Sequence, residues 1–591
     1  MRRSAAQLPL LLCLLGAVLL PWAASARPAT AQQAAPSADS PLPRLVDASA
    51  GSGITFRHRY GSLRKIWPTE FGGSGGGWID YDLDGRIDLV LINGLDDFAD
   101  DPIGATTRSL AGAPDASTGN DDTLGHRLYR NGPAGFEELS GTGIEDRVWG
   151  DGIAVGDVDN DGFPDVYVTA IGPNRLYRNN GDGTFSPWTA GAEDERWSTS
   201  ASLTDWNGDG WLDLYVVNYV TFDPVSTAKQ GDGVCNYRGV DVFCGPEGLE
   251  GSSDALYLNR GDGTFEPVDD PPIDPERTYG FAIVATDCDG DLRPEVFVAA
   301  DSTMNLLYSR IEEQVDDMSL YSGAGYSGAG REQAGMGVTA GDFDDDGDMD
   351  LFVTNFQSDY NTLYRNIGDC FFEDVSEPLG LGGTSLPFMG WAPQFVDIDG
   401  DADLDLYVAN GHIYPQLDDE GLEPYEQRNL LYLNRLRDEG EARFDEVGEQ
   451  ADEGMDLVHG SRAALAGDFD DDFDIDILVT NINGTPDLLR NDTPMSSPML
   501  RLSLIGRGGN RTAYGARISV TSGDIEQTLE LRGSEGYAGS NDPRLLVALP
   551  GGRAERVVIA WRDGATTRLD DVAPGWIVVD EQRGIIARRD P

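Results

Sequence analysis

The sequence predicts an all-β fold: a seven-bladed β-propeller with calcium-binding hairpin loops, followed by a small C-terminal β-sandwich-like domain. Three observations carry this reading. A nine-residue acidic loop recurs seven times. Each copy is followed by a matching strand module. Near residue 495 the pattern stops, and alternating strands without such loops begin.

The clearest copy is Asp157-Val158-Asp159-Asn160-Asp161-Gly162-Phe163-Pro164-Asp165. Side-chain oxygens at positions 1, 3, 5 and 9, with the main-chain carbonyl at position 7, make an oxygen cage for a hard cation, and Gly at position 6 permits the sharp turn. The expected metal ligands are Asp80, Asp82, Asp84 and Asp88 in loop one, and Asp157, Asp159, Asp161 and Asp165 in loop two. Loop three offers Asp205, Asn207, Asp209 and Asp213; loop four offers Asp287, Asp289, Asp291 and Glu295. Loop five offers Asp342, Asp344, Asp346 and Asp350, and loop six Asp397, Asp399, Asp401 and Asp405. Loop seven completes the set with Asp468, Asp470, Asp472 and Asp476. The cofactor implied is Ca²⁺, up to seven ions. An EF-hand would need helical flanks and a Glu at position 12, whereas these exits are β-branched and aromatic runs such as Leu351-Phe352-Val353-Thr354.

Downstream of each loop comes a second module, for example Leu176-Tyr177-Arg178-Asn179, then a turn, then a third such as Phe372-Glu373-Asp374-Val375. One repeat is therefore four strands over about 40–50 residues, the signature of a propeller blade. The seventh repeat stops at Asn491 without a fourth strand. Leu45-Val46-Asp47-Ala48 resembles that missing text, so the N-terminus is expected to complete the last blade against Leu488 to Arg490, with Val46 facing the interior. Closure removes an exposed sheet edge.

Met1 to Ala26 reads as a signal peptide: Arg2 and Arg3, an apolar run from Leu8 to Leu20, and a cleavage site at Ala24-Ser25-Ala26. Residues 27–42 read as a disordered linker, 43–495 as the propeller and 498–583 as the C-terminal domain. The protein is expected to be exported: secreted, periplasmic or at the cell surface. No other run approaches a membrane span. The net charge of −59 excludes nucleic acid and anionic membrane surfaces as partners.

Inserts at 95–125, 222–254 and 411–428 lengthen three repeats. Cys235 and Cys244 lie nine residues apart in an exported chain and are expected to pair, whereas Cys288 and Cys370 read as small buried apolar residues, with a long-range bridge between them as the alternative. Arg260-Gly261-Asp262 occupies the same turn as Asn180-Gly181-Asp182 and reads as a turn. His58, His126, His412 and His459 are too dispersed to suggest a transition-metal site; His412 is the strongest single candidate for a functional role.

The strand–loop–strand repeats resemble the FG-GAP/VCBS repeats of integrin-α-type propellers. The tail resembles the ASPIC/UnbV domain through Asn510-Arg511, Gly515-Ala516-Arg517, Gly533 to Gly536-Tyr537 and Trp561-Arg562-Asp563-Gly564. The combination is similar to bacterial relatives of cartilage acidic protein, with Cys244-Gly245-Pro246 and Asn410-Gly411-His412 as supporting text. The resemblance implies a secreted calcium-binding propeller and no particular reaction. Position 6 departs from Gly at Leu292, Ala402 and Phe473, and Gly290 and Gly400 at position 4 are expected to absorb the turn in loops four and six. Loops one, two, three and five therefore rank first for calcium, then six, then four and seven.

No nucleophile elbow, phosphate loop or HExxH motif is present. The function expected is a non-catalytic binding, adhesion or scaffold module, monomeric, with a protein or glycan ligand outside the cytoplasm. The alternative is a polysaccharide lyase or hydrolase, which would need His, Tyr, Arg and carboxylates from the 222–254 and 411–428 inserts gathered at one mouth of the ring.

Overall fold

A computed structural model describes residues 42–95, 125–268, 273–274, 277–311 and 314–590. The expected signal peptide, nearly all of the expected linker and most of the 95–125 insert lie outside the described residues.

The chain is all-β, as expected. Seven times it forms a four-stranded antiparallel meander, with each loop joining the first strand to the second. In the second repeat the strands are Gly150–Gly156, Asp165–Ala170, Arg175–Asn179 and Phe185–Pro187. Second strands such as Val166-Tyr167-Val168 are apolar on both faces because a neighbouring sheet covers each face.

The first strands, from Gly76–Ile79 to Ser461–Gly467, touch one another in sequence order, and the seventh touches the first. The seventh sheet takes its outer strand from the N-terminus: Leu45–Asp47 pairs antiparallel with Asp487–Asn491, setting Leu45 opposite Asn491 and Val46 opposite Arg490. The expected partner is thus found, with one correction. Leu45 is the residue fully removed from solvent, and Val46 is only half-buried. The two alternate across the strand, and Leu45 joins Leu489 in the core.

After Met499 two further four-stranded sheets form. Leu500, Leu502, Ile577 and Val579 of one meet Ile518, Val520, Val557 and Ile559 of the other in a single apolar cluster. The last strand, Gly584–Arg589, pairs with Gly575–Asp580 and runs past the expected boundary at 583. It is mostly exposed and ends in arginines, so it shows no apolar alternation.

This C-terminal domain packs directly on the repeats. Its core is continuous with Tyr167, Leu203, Leu212 and Leu214 of sheets two and three. Gly539–Ser540 adds a parallel strand to Gly76–Ile79. Just before it, Tyr537 is buried against Phe281 (ring centroids 5.3 Å apart) and Trp391 (4.9 Å). The Gly-rich first strands permit this approach. A Cβ on Gly75 would come within 2.6 Å of the Asp151 carbonyl and 2.7 Å of the Ala538 carbonyl.

Tyr537 belongs to an aromatic core that the 222–254 and 411–428 inserts extend. Phe71 stacks on Phe243 and Phe281, Phe243 meets Tyr414 at 4.8 Å, and the Arg462 guanidinium lies 3.9 Å from the Trp391 ring centroid. The Cys235–Cys244 disulfide closes the hairpin that carries Tyr237, as expected. A second disulfide joins Cys288 to Cys370, the long-range pairing that the sequence left open. Cys288 stands in loop four and Cys370 in the last turn of the next sheet, so their proximity comes from sheets meeting side by side.

Candidate metal centres

All seven loops share one internal hydrogen-bond scheme. The position-1 carboxylate accepts the N–H of position 6, from Gly85→Asp80 at 3.1 Å to Phe473→Asp468 at 3.0 Å. The position-5 carboxylate accepts the N–H of position 7. At position 9 the carboxylate is anchored twice. In loop two Asp165 accepts from Val158 N at 3.0 Å and from Asn179 N, on the third strand, at 2.9 Å. In loop four Glu295 accepts from Cys288 N, and the Ser309 hydroxyl replaces the third-strand amide.

These bonds hold the expected ligands together. Carboxylate oxygens of Asp80, Asp82 and Asp88 lie within 4.8 Å of one another, as do those of Asp157, Asp159 and Asp165, of Asp287, Asp289 and Asp291, and of Asp342, Asp344 and Asp350. One oxygen each of Asp80, Asp205, Asp287 and Asp342 is buried without a hydrogen-bond partner. Burial, with neighbouring carboxylates adding to it, pushes Asp88, Asp213 and Asp342 up to about 8 and Glu295 up to about 9. Buried oxygen ligands short of a counter-charge suit a hard divalent cation. Cys288, Glu295 and Cys370 also converge, but the two sulfurs are bonded to each other and offer no thiolate.

A family model described as FG-GAP-like repeat matches residues 157–216, 239–298, 287–353 and 342–408, and one described as ASPIC and UnbV matches 506–583. The chain is an FG-GAP-repeat protein with a C-terminal ASPIC/UnbV domain. No curated protein matches it. Among solved structures, an Agrocybe aegerita lectin described for recognition of non-reducing terminal N-acetylglucosamine is 15% identical, covering 68% of this chain and 81% of that one at a TM-score of 0.36. BBS1N in complex with ARL6DN is 12% identical (75% and 96% covered, TM-score 0.39). The Bacillus licheniformis rhamnogalacturonan lyase PL11 is also 12% identical (75% and 91% covered, TM-score 0.27). Likenesses this distant carry no weight for function.

The FG-GAP loops differ from expectation at position 6. Leu292, Ala402 and Phe473 adopt the same left-handed backbone as the glycines, with φ of 66°, 76° and 75°. Position 4 is left-handed in every loop too, so Gly290 and Gly400 do not take over the turn. Ala402 and Phe473 gain a compensating contact: they pack with Met499 and Ala548 of the ASPIC/UnbV domain.

That domain covers the loops with arginines, which sequence reasoning left unassigned. Arg544 donates to the Gly85 carbonyl of loop one (3.1 Å) and the Asp468 carbonyl of loop seven (2.8 Å). Arg517 spans the Asp287 and Gly347 carbonyls of loops four and five, and Arg562 reaches the Asp205 carbonyl of loop three at 3.0 Å. Asp403 and Asp474, at position 7 of loops six and seven, were also missed. The motif asks only for a main-chain carbonyl there, yet both side chains are buried.

The histidines lie apart. His58, His126 and His412 each accept a backbone N–H at Nδ1, from Asn483, Asn93 and Tyr414, and His459 pairs with Asp487. His412 is buried beside Tyr414, with Nε2 3.4 Å from Glu423. In the Arg260-Gly261-Asp262 turn, Asp262 accepts from the Thr264 N–H and hydroxyl, as Asp182 does from Thr184.

Proposed function

We propose that this protein is a calcium-loaded, seven-bladed propeller acting outside the cytoplasm as a non-catalytic binding or scaffold module for a protein or glycan. The carrying observation is the sevenfold loop scheme, which holds buried carboxylate oxygens without partners in a closed series of sheets. Asp80, Asp82, Asp84 and Asp88, and their counterparts in the other loops, would hold the ions. A bound Ca²⁺ supplies the positive charge that relieves carboxylate repulsion, and so stabilises the loops. No helix among the described residues is long and apolar enough to cross a membrane.

The aromatic core supports binding over catalysis. The groups an enzyme would need at the insert end, His412, Tyr414 and Glu423, are buried in packing contacts. A glycan array probed with and without calcium tests the ligand class. Calcium-dependent retention of intact glycans supports the proposal, whereas release of unsaturated or hydrolysed sugars would favour the lyase or hydrolase alternative.

A further inference from the structure

We propose that Arg501, in the first strand of the ASPIC/UnbV domain, is the resident cation of loop seven, so that this loop anchors the domain without calcium. The proposal rests on the calcium reading above and exempts one loop of the seven from it.

Three observations carry the assignment. First, Arg501 is committed to the position-1 carboxylate of the loop. Its guanidinium pairs with Asp468, and both side chains are only 1% exposed. Breaking a buried pair leaves an uncompensated charge, so Arg501 does not yield to an arriving ion at small cost. Arginines reach cage ligands elsewhere, but on other terms. Arg130 on Asp82 and Asp84, and Arg178 on Asp159 and Asp161, are 45% exposed and free to swing into solvent. Arg517 and Arg562 stand 3.4 and 3.9 Å from Asp287 and Asp205, and each of those carboxylates keeps one bare buried oxygen. Asp468 keeps none. Its oxygens accept from Asp472 N at 3.2 Å, from Phe473 N at 3.0 Å and from Arg501.

Second, loop seven departs from the motif where it meets Arg501. Positions 4 and 6 are Asp471 and Phe473, against Asn160 and Gly162 in loop two. Asp471 accepts from Arg501 Nη1 at 2.8 Å, and the guanidinium lies 4.5 Å from the centroid of the Phe473 ring. Phe473 stands at a φ of 75°, which glycine would adopt without strain, and the cation–π contact offsets that strain.

Third, more positive charge surrounds the same loop. Arg544 lies 3.3 Å from Asp471 and donates to the Asp468 carbonyl at 2.8 Å, while Arg86 and Arg589 each stand 3.8 Å from Asp471. Among the described residues, no other loop carboxylate has four arginines about it. A divalent ion entering here meets their repulsion.

The test combines equilibrium dialysis of the full chain against radioactive calcium with melting in chelator and in calcium. Asp84→Ala removes the position-5 ligand of loop one, and Asp472→Ala removes that of loop seven. The first should cost one bound ion per molecule and the second none. Arg501→Met keeps the length of the side chain but not its charge. It should bind one ion more than the unchanged chain, and calcium should restore part of its melting deficit, which a packing defect alone would not allow. Loss of an ion in Asp472→Ala overturns this assignment alone. An unchanged ion count in folded Arg501→Met, with equal deficits in chelator and in calcium, does the same. Absence of saturable binding in the unchanged chain overturns the calcium reading itself.

Discussion

The Asn131 side chain donates its amide to the Phe469 carbonyl at 2.6 Å, across 338 residues of sequence. Asn131 is the penultimate residue of the third strand of sheet one, Arg127–Gly132, and Phe469 is position 2 of loop seven. The bond recurs around the series. Asn179 reaches Tyr81, Asn259 Val158, Asn366 Cys288, Asn434 Phe343 and Asn491 Ile398. In sheet four Arg310 takes the role, donating to Trp206 at 3.3 Å. Every sheet therefore holds the loop of the preceding one.

Asn131→Ala should cost about 1–3 kcal/mol, because it leaves the Phe469 carbonyl unsatisfied. Asn180→Ala, which removes only exposed contacts to Thr184 and Ser186, should be nearly silent. Urea melts of both in saturating calcium provide the comparison. Equal midpoints would mean that the bond contributes nothing.

Chain closure makes a graded prediction. A chain starting at residue 41 should melt like the longer one, whereas a start at residue 51 removes Leu45–Asp47, exposes the edge of Asp487–Asn491 and should aggregate. Leu45→Asp should be far worse than Val46→Asp, since only Leu45 is fully buried. Size-exclusion chromatography and thermal melts decide both points. A monomeric chain from residue 51 with an unchanged melt would refute the closure.

Chelation should lower the melting temperature, and millimolar calcium should restore it. Each site filled at a hundred times its Kd adds about 2.7 kcal/mol. An identical melt in excess chelator would remove the basis for the calcium proposal.

Loss of the Cys288–Cys370 bridge should cost about 2–4 kcal/mol, because it closes 82 residues of chain. Paired Ser substitutions, compared by denaturant melts with loss of Cys235–Cys244, should be the more damaging of the two. The shorter bridge closes only nine residues. The reverse order would contradict this.

The buried histidines set an acid limit. Burial, then Arg127 and Arg175, lowers His126 to about 3; burial, then Arg462 and Arg238, does the same for His412. Their folded values lie below the ordinary 6.5, so the stability they contribute is present above pH 6.5 and lost as pH falls toward 3. His126→Gln removes one such group. Its melting deficit relative to the parent should therefore shrink between pH 6.5 and pH 4. A constant deficit would show that His126 does not titrate on unfolding.

Much of this was legible because each repeat spells its own strands, turn and acidic loop within about 50 residues, and seven copies confirm one another. The closing strand was readable because Leu45-Val46-Asp47 copies a text that appears elsewhere in the chain. What stayed hidden depends on sheets meeting in space. Cys288 and Cys370 belong to different repeats, and no local pattern joins them. Arg517 and Arg544 carry no local signal of their role, because the loops they reach belong to distant repeats. The Asn of six of the seven third strands was visible, but its partner lies in another repeat.

Tyr537 lies among strands made long before it: Gly76–Ile79, against which its neighbours pair, leaves the ribosome some 460 residues earlier. The packing around Phe281 and Trp391 is thus completed by a segment synthesised long after the strand beside it. Until that segment arrives, the first strands lack both the Tyr537 ring and the extra strand beside Gly76 and Gly77. Folding must therefore join partners of high sequence separation and should be slow. A chain lacking this segment would have a hole beside Phe281 and Trp391 and would leave Gly76 and Gly77 without their parallel neighbour.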